Sequence, residues 1–144
     1  MYTFRKNERL ANYRLQSMLF ENGQSFHHHP LRVQWMLFPE EKLTELFPGT
    51  REHSGNAAFM YPAKLLVSVS KKKIKRATDR NRLKRLVKEA YRKNKNGFYS
   101  FLLERQELGL VAMMYTADNV MTYKDIEQAV AEVLKKLIDK AGKA

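Results

Sequence analysis

The chain has 144 residues, of which 44% are hydrophobic, and its 27 Lys and Arg against 15 Asp and Glu give a formal net charge of +12 at pH 7. This size and apolar content predict a single domain over residues 1–144, and the absence of cysteine excludes disulfides, cysteine-ligated metals and thiol nucleophiles. Because no apolar run approaches the ~20 residues of a membrane span and the first ten residues lack the apolar core of a secretory signal, we expect a cytoplasmic protein without membrane contact.

The beginning of the chain predicts a helix and then a strand. Apolar residues recur at roughly helical spacing before an Asn22-Gly23 pair typical of a helix end, which predicts a helix over residues 8–21. Between Pro30 and Pro39, apolar residues occupy alternate positions, as in a half-buried strand. Residues 39–62 have no sustained period and are predicted to form an insertion-like loop, with a short helical turn in "EEKLTELF".

Three consecutive histidines, His27 to His29, precede the strand and suggest a metal site. Successive residues of a strand point to opposite faces, and no Asp, Glu or Cys stands beside the three. We therefore interpret them as a polar turn and predict no metal bound by the protein.

The second half of the chain predicts two further strands and two helices besides the basic one described below. Alternating apolar residues predict a strand over residues 64–70, and "LVAMMYT", which is apolar on both faces, predicts a buried strand. A helix is predicted in "GFYSFLLERQEL", and a last one starts after Thr122 as its cap and ends before Gly142. The whole order predicts an α+β fold in which a small sheet is covered by helices.

Nearly all the excess charge lies in one segment. Residues 71–95 contain 13 Lys and Arg against 2 acidic residues, a net charge of +11, whereas the rest of the chain carries +1. The stretch "ATDRNRLKRLVKEAYRKNK" predicts a helix, with Thr78 or Asp79 as its cap and Asn96-Gly97 at its end. One face of this helix is apolar and the other is cationic, with Glu89 as the acidic residue among eight cations. Like charges four residues apart repel, and phosphates would offset that cost, so the pattern predicts nucleic-acid binding.

The segment "VSVSKKKIKRATDRNRLKRLVKEAYRKN", residues 67–94, resembles the signature of the bacterial ribonuclease P protein family, in which a strand ending in a Ser-Lys-Lys element runs into an Arg-Asn-Arg helix. "FRKNERL", "LFENGQSF", "PLRVQW" and "MTYKDIEQAVAEVLKKL" are similar to that family's first helix, first strand and last helix. The resemblance implies a small central mixed sheet packed with helices, like domain 2 of ribosomal protein S5. It also implies a left-handed βαβ crossover, although most such crossovers are right-handed.

The resemblance further implies a function. In this family a catalytic RNA with bound Mg²⁺ removes the 5′ leader from precursor tRNA, and the protein binds both that RNA and the leader. We therefore expect an RNA-binding subunit of the endoribonuclease ribonuclease P, with no catalytic residue of its own and with Mg²⁺ held mainly by the RNA. No protein partner is predicted.

The site residues implied by the resemblance form two sets. The RNA subunit is expected to contact Lys71, Lys72, Lys73, Lys75, Arg76, Arg80, Asn81, Arg82, Lys84, Arg85, Lys88 and Arg92. Stacking on leader bases is expected for the aromatics Phe20, Phe26 and Trp35, although Phe20 and Trp35 suit a core equally well. Gln16 and Gln34 depart from the family, which often carries aromatics at or near these positions.

Two other functions are compatible with parts of the sequence. The same charge would suit a standalone nucleic-acid-binding or ribosome-associated module without a processing role. A protein-only hydrolase is less favoured, because the sequence shows no paired-carboxylate spacing for two metal ions and no Ser-His-Asp order.

Overall fold

Four strands form one mixed sheet in the computed structural model, which describes residues 4, 8–42 and 61–143. β1 (Gln24–His28) and β2 (Leu31–Pro39) form an antiparallel hairpin. β4 (Glu107–Tyr115) lies between β2 and β3 (Ala63–Val69), antiparallel to the first and parallel to the second. The predicted α+β class with a mixed sheet is confirmed, and the handedness of the connection from β3 to β4 stays a prediction.

Helices cover both faces of the sheet. They are α1 (Tyr13–Asn22), α2 (Ala77–Asn94), α3 (Asn96–Arg105) and α4 (Tyr123–Gly142). One hydrophobic cluster joins alternate residues of β2, β3 and β4 to α2, α3 and α4. A smaller cluster on the opposite face joins β2 and β4 to α1. The sheet is therefore a central layer, and α2 is held by its apolar face with its other face toward solvent.

The first helix is shorter than the predicted 8–21. The side chain of Asn12 accepts a hydrogen bond from the Leu15 N–H at 3.1 Å and caps α1 there. Residues 8–10 instead run beside β3, where the Leu10 N–H donates to the Leu65 carbonyl at 2.9 Å. The predicted end is confirmed: the Gly23 N–H donates to the Leu19 carbonyl, and a Cβ on Gly23 would lie 2.4 Å from that oxygen.

Strand β1 was not predicted, and it contains two of the three histidines. His27 Nε2 lies 3.4 Å from Thr116 Oγ1, whereas His28 is held between Glu132 at 2.7 Å and Lys136 at 2.8 Å. The interpretation of this segment as a polar turn is therefore wrong for His27 and His28, which lie in β1 with their rings on opposite faces, and is confirmed for His29, which lies in the turn between β1 and β2. Over the ranges that the structure describes, no group of three His, Asp or Glu side chains is placed to hold a metal ion.

The last helix begins as predicted, because Thr122 Oγ1 accepts a hydrogen bond from the Asp125 N–H at 3.3 Å. Gly142 is its last residue rather than the first one beyond it. Of the predicted 39–62 loop, residues 40–42 form one 3-10 turn, and residues 43–60 lie outside the described residues. No helix in the described part of the chain is long and apolar enough to cross a membrane.

Candidate nucleic-acid interface

The lysine-rich connector between β3 and α2 is fixed by one apolar residue in its middle. Ile74 is buried, and its N–H donates to the Ser70 carbonyl at 3.0 Å. The Lys72 N–H donates to Ser70 Oγ at 3.2 Å, which tightens the same turn. The burial of Ile74 anchors the connector, while the basic side chains on either side of it remain exposed to solvent: Lys71, Lys72, Lys73, Lys75 and Arg76.

Helix α2 begins without the predicted cap at Thr78 or Asp79. Its N-cap residue is Arg76, which makes no side-chain capping bond. The guanidinium of Arg80 instead ties the helix to the connector before it, since its Nη1 donates to the carbonyls of Ile74 at 2.9 Å and Lys75 at 2.8 Å. Arg80 therefore braces the connector against the helix as well as adding charge to the surface.

The other end of α2 also differs from the prediction. Asn96-Gly97 do not close the helix, because Lys95 keeps a helical backbone conformation and α3 starts at Asn96. Lys95 turns inward rather than joining the cationic face, and its side chain is 3% exposed.

The predicted division of α2 into an apolar and a cationic face is confirmed. Leu83, Val87, Ala90 and Tyr91 are buried in the core. Around the rest of the helix Asn81, Arg82 and Arg85 are exposed, while Arg80, Lys84, Lys88 and Arg92 are half-buried, with Lys84 and Lys88 bordering the apolar face beside Tyr91. Together with the connector, these residues form what we call the basic surface.

Two members of the basic surface are already paired. Arg92 donates from Nε and Nη2 to the two carboxylate oxygens of Glu89, at 2.8 and 2.6 Å, and this bond lowers the pKa of Glu89. Lys73 Nζ lies 3.1 Å from Asp118 Oδ1, with both side chains largely exposed. The other cations of the surface form no ion pair within the described ranges, so they can meet an anion from outside.

The predicted leader-binding aromatics are not brought together. Phe20 lies on α1 with 45% of its surface exposed. Phe26 faces Val33 across the hairpin and packs against the core on the side of the sheet opposite α1, under Lys140 Nζ at 5.3 Å. Trp35 belongs to that same core and is 4% exposed. Of the three predicted aromatics, Phe20 is thus the one that is exposed on the α1 side of the sheet.

The two glutamines that depart from the family pattern brace α1. Gln34 Nε2 donates to the Leu19 carbonyl at 3.2 Å, and Gln16 Nε2 donates to the Leu10 carbonyl at 2.8 Å. Tyr13 of α1, which is 82% exposed, was not predicted as a site residue from the sequence. Its exposure could not be read from composition, because an aromatic near an apolar stripe suits the core as well.

Comparison with known proteins gives a consistent result. The family model described as Ribonuclease P matches residues 4–138. The Ribonuclease P protein component of Porphyromonas gingivalis strain ATCC 33277 is 36% identical over 129 residues, which are 90% of this chain and 82% of that protein. The Staphylococcus aureus RNase P protein structure has a TM-score of 0.61 at 18% identity, covering 90% of this chain and 94% of that chain. The Thermotoga maritima RNase P protein structure has a TM-score of 0.59 at 20% identity, covering 90% and 96%.

Proposed function

The chain belongs to the ribonuclease P protein family and is thus the RNA-binding subunit of that enzyme, and from this premise we propose how it works: the basic surface binds the RNA subunit, and α1 contacts the 5′ leader of precursor tRNA. The observation that carries the proposal is the exposed face of α2, where Arg82 and Arg85 stand without a carboxylate partner among the described residues. Guanidinium groups in such a setting pair with phosphate oxygens through two parallel hydrogen bonds. The family match does not favour a standalone module.

We assign catalysis and its Mg²⁺ to the RNA subunit. Apart from the Asn81 amide, the side chains gathered on the basic surface are guanidinium and ammonium groups, which in their charged form carry no lone pair for a metal. Mg²⁺ takes oxygen ligands, which the phosphates of an RNA supply in abundance. The role of the protein is then to neutralise and position RNA rather than to transfer protons.

For the leader, the proposed contact is Phe20. Its ring is partly exposed on α1, and stacking of a base on such a ring contributes about 1–3 kcal/mol without selecting a sequence. Trp35 is left out of this role because it is buried.

Reconstitution tests this function. The protein is mixed with ribonuclease P RNA and precursor tRNA at low Mg²⁺, and we expect it to bind the RNA and to increase cleavage. Arg82→Ala with Arg85→Ala should weaken binding and lower the slope of log Kd against log salt by about two, roughly one for each lost phosphate contact. Phe20→Ala should weaken binding of precursor tRNA but not of tRNA without a leader. A protein that neither binds the RNA nor improves cleavage would refute the proposal, and equal binding to duplex DNA would favour the standalone module.

A further inference from the structure

Arg9 lies at the edge of the sheet, on a short segment whose backbone is held in place. Arg9 forms a parallel bridge with Leu65 of β3, and the neighbouring Leu10 is 2% exposed. The Leu10 N–H donates to the Leu65 carbonyl, and the Leu10 carbonyl accepts from Gln16 Nε2. The residue after Arg9 is therefore fixed both to the sheet and to the segment that starts α1.

The residue before Arg9 is fixed more strongly still. The Glu8 carboxylate is fully buried and bonds to Lys95 Nζ at 2.5 Å, directly after the end of α2. With Glu8 and Leu10 both turned inward, the side chain of Arg9 between them is exposed. The segment thus presents one cation to solvent at a defined place.

That place adjoins the cationic face of α2. The Arg9 guanidinium lies over the Phe4 ring, 5.9 Å from its centroid, and the Phe4 ring meets the Tyr91 ring edge-on at 5.9 Å. Tyr91 follows Lys84 and Lys88 by seven and three residues, which puts all three on one stripe of α2.

The charges of these groups act on one another. Burial lowers the pKa of Lys88, and the positive charges of Arg9 and then Lys84 lower it further. No carboxylate pairs with any of these three side chains in the described part of the chain. Three cations from two segments that are distant in sequence are thus assembled against their mutual repulsion, which an RNA phosphate would relieve.

We propose that Arg9, Lys84 and Lys88 form one phosphate-binding site for RNA, with Arg9 as a binding residue outside the basic surface predicted from sequence. This inference rests on the proposed function, because the phosphates are those of ribonuclease P RNA. The guanidinium of Arg9 supplies the paired donors and the two ammonium groups supply point charges. The packing of Glu8 and Leu10 positions Arg9 for this contact.

Salt-dependent binding to ribonuclease P RNA tests the site with four variants: Arg9→Ala, Arg9→Lys, Lys88→Ala and Arg105→Ala. Arg105 is the matched control, since it also lies over an aromatic ring, Phe101 at 5.1 Å, but is paired with Glu107 at 2.6 Å. We expect Arg9→Ala and Lys88→Ala each to weaken binding about 3- to 10-fold at ~0.1 M KCl and to lower the salt slope by about one. Arg9→Lys should keep the slope, and Arg105→Ala should change neither quantity.

Thermal melts of the free variants accompany the binding curves. If Arg9→Ala leaves the slope of log Kd against log salt unchanged, the proposed site is refuted. It is also refuted if Arg9→Lys lowers that slope as much as Arg9→Ala does, because lysine keeps the positive charge. If the Arg82→Ala, Arg85→Ala double variant lowers the salt slope and Arg9→Ala does not, this site is refuted and the proposed function stands. An unmodified protein that fails to bind the RNA would refute the proposed function and the site with it.

Discussion

Glu8 and Lys95 form a buried ion pair that joins the beginning of the chain to the junction of α2 and α3. Their side chains are 0 and 3% exposed. Lys95 Nζ also lies 5.1 Å from the centroid of the Tyr99 ring, and the Tyr91 hydroxyl donates to the Tyr99 hydroxyl at 3.1 Å. Burial raises the pKa of both tyrosines above the usual range, so they stay protonated as hydrogen-bond donors. This cluster fixes where residues 8–10 meet α2.

Removing one charge of the pair should therefore be costly. We expect Glu8→Gln to reduce the free energy of unfolding by about 3–5 kcal/mol, because the substitution removes the negative charge that Lys95 contacts in the buried interior. The matched control is Glu107→Gln, which breaks the more exposed pair with Arg105 and should cost about 0–1 kcal/mol. Urea denaturation monitored by circular dichroism measures both. Equal costs for the two variants would show that the buried pair contributes no more than a surface pair.

The environments of Trp35 and Arg9 could not be predicted from the sequence. Alternation placed Trp35 on a strand correctly, but both faces of this sheet are covered by helices, so alternation could not say whether its ring was accessible. Arg9 was passed over because its cationic neighbours, Lys84 and Lys88, come from a different part of the chain. The burial of Trp35 and the position of Arg9 beside α2 both depend on strand register and helix packing, which are tertiary and not local properties.

At the scale of elements, long periodic segments were predictable and short edge elements were not. Helices α2 and α4 carry unbroken apolar stripes and were found with nearly correct bounds. Strand β1 has no buried residue, so no apolar alternation marks it, and its pairing with β2 creates it. Residues 8–10 continue the apolar spacing of α1 but pair with β3, where Leu10 gains a buried position. Tertiary pairing thus overrides local pattern at the margins of the sheet.

Arg80 and Arg82 look equivalent in the sequence but have different environments at the start of α2. Arg80 donates two hydrogen bonds to connector carbonyls, whereas Arg82 is exposed. We expect Arg80→Ala to lower both the free energy of unfolding, by about 1–2 kcal/mol, and RNA affinity, because it loosens the connector that carries the lysines. Arg82→Ala should lower RNA affinity alone. Denaturant unfolding of the free variants and RNA titration separate these effects, and equal stability of the two would contradict the bracing role of Arg80.

For the whole molecule, the dominant feature is a charge distribution that opposes the folded state. Residues 71–95 carry a net charge of +11, and the fold gathers their cations, apart from the buried Lys95, along α2 and its connector. The apolar face of α2 and the Ile74 anchor hold this arrangement against repulsion between its like charges. A bound polyanion would remove that repulsion, so binding and stability are coupled.

Sulfate provides a simple probe of this coupling. We expect sulfate to bind the gathered cations of the folded protein more tightly than the dispersed ones of the unfolded chain, and therefore to raise the melting temperature. At a concentration ten times its dissociation constant, the gain is about 1.4 kcal/mol, or roughly 4–5 °C for a domain of this size. Sodium chloride at the same ionic strength is the control for general screening and should give a smaller rise. The Arg82→Ala, Arg85→Ala double variant should respond less to sulfate than the unmodified protein. If sulfate and chloride raise the melting temperature equally in both proteins, the surface screens charge without binding discrete anions.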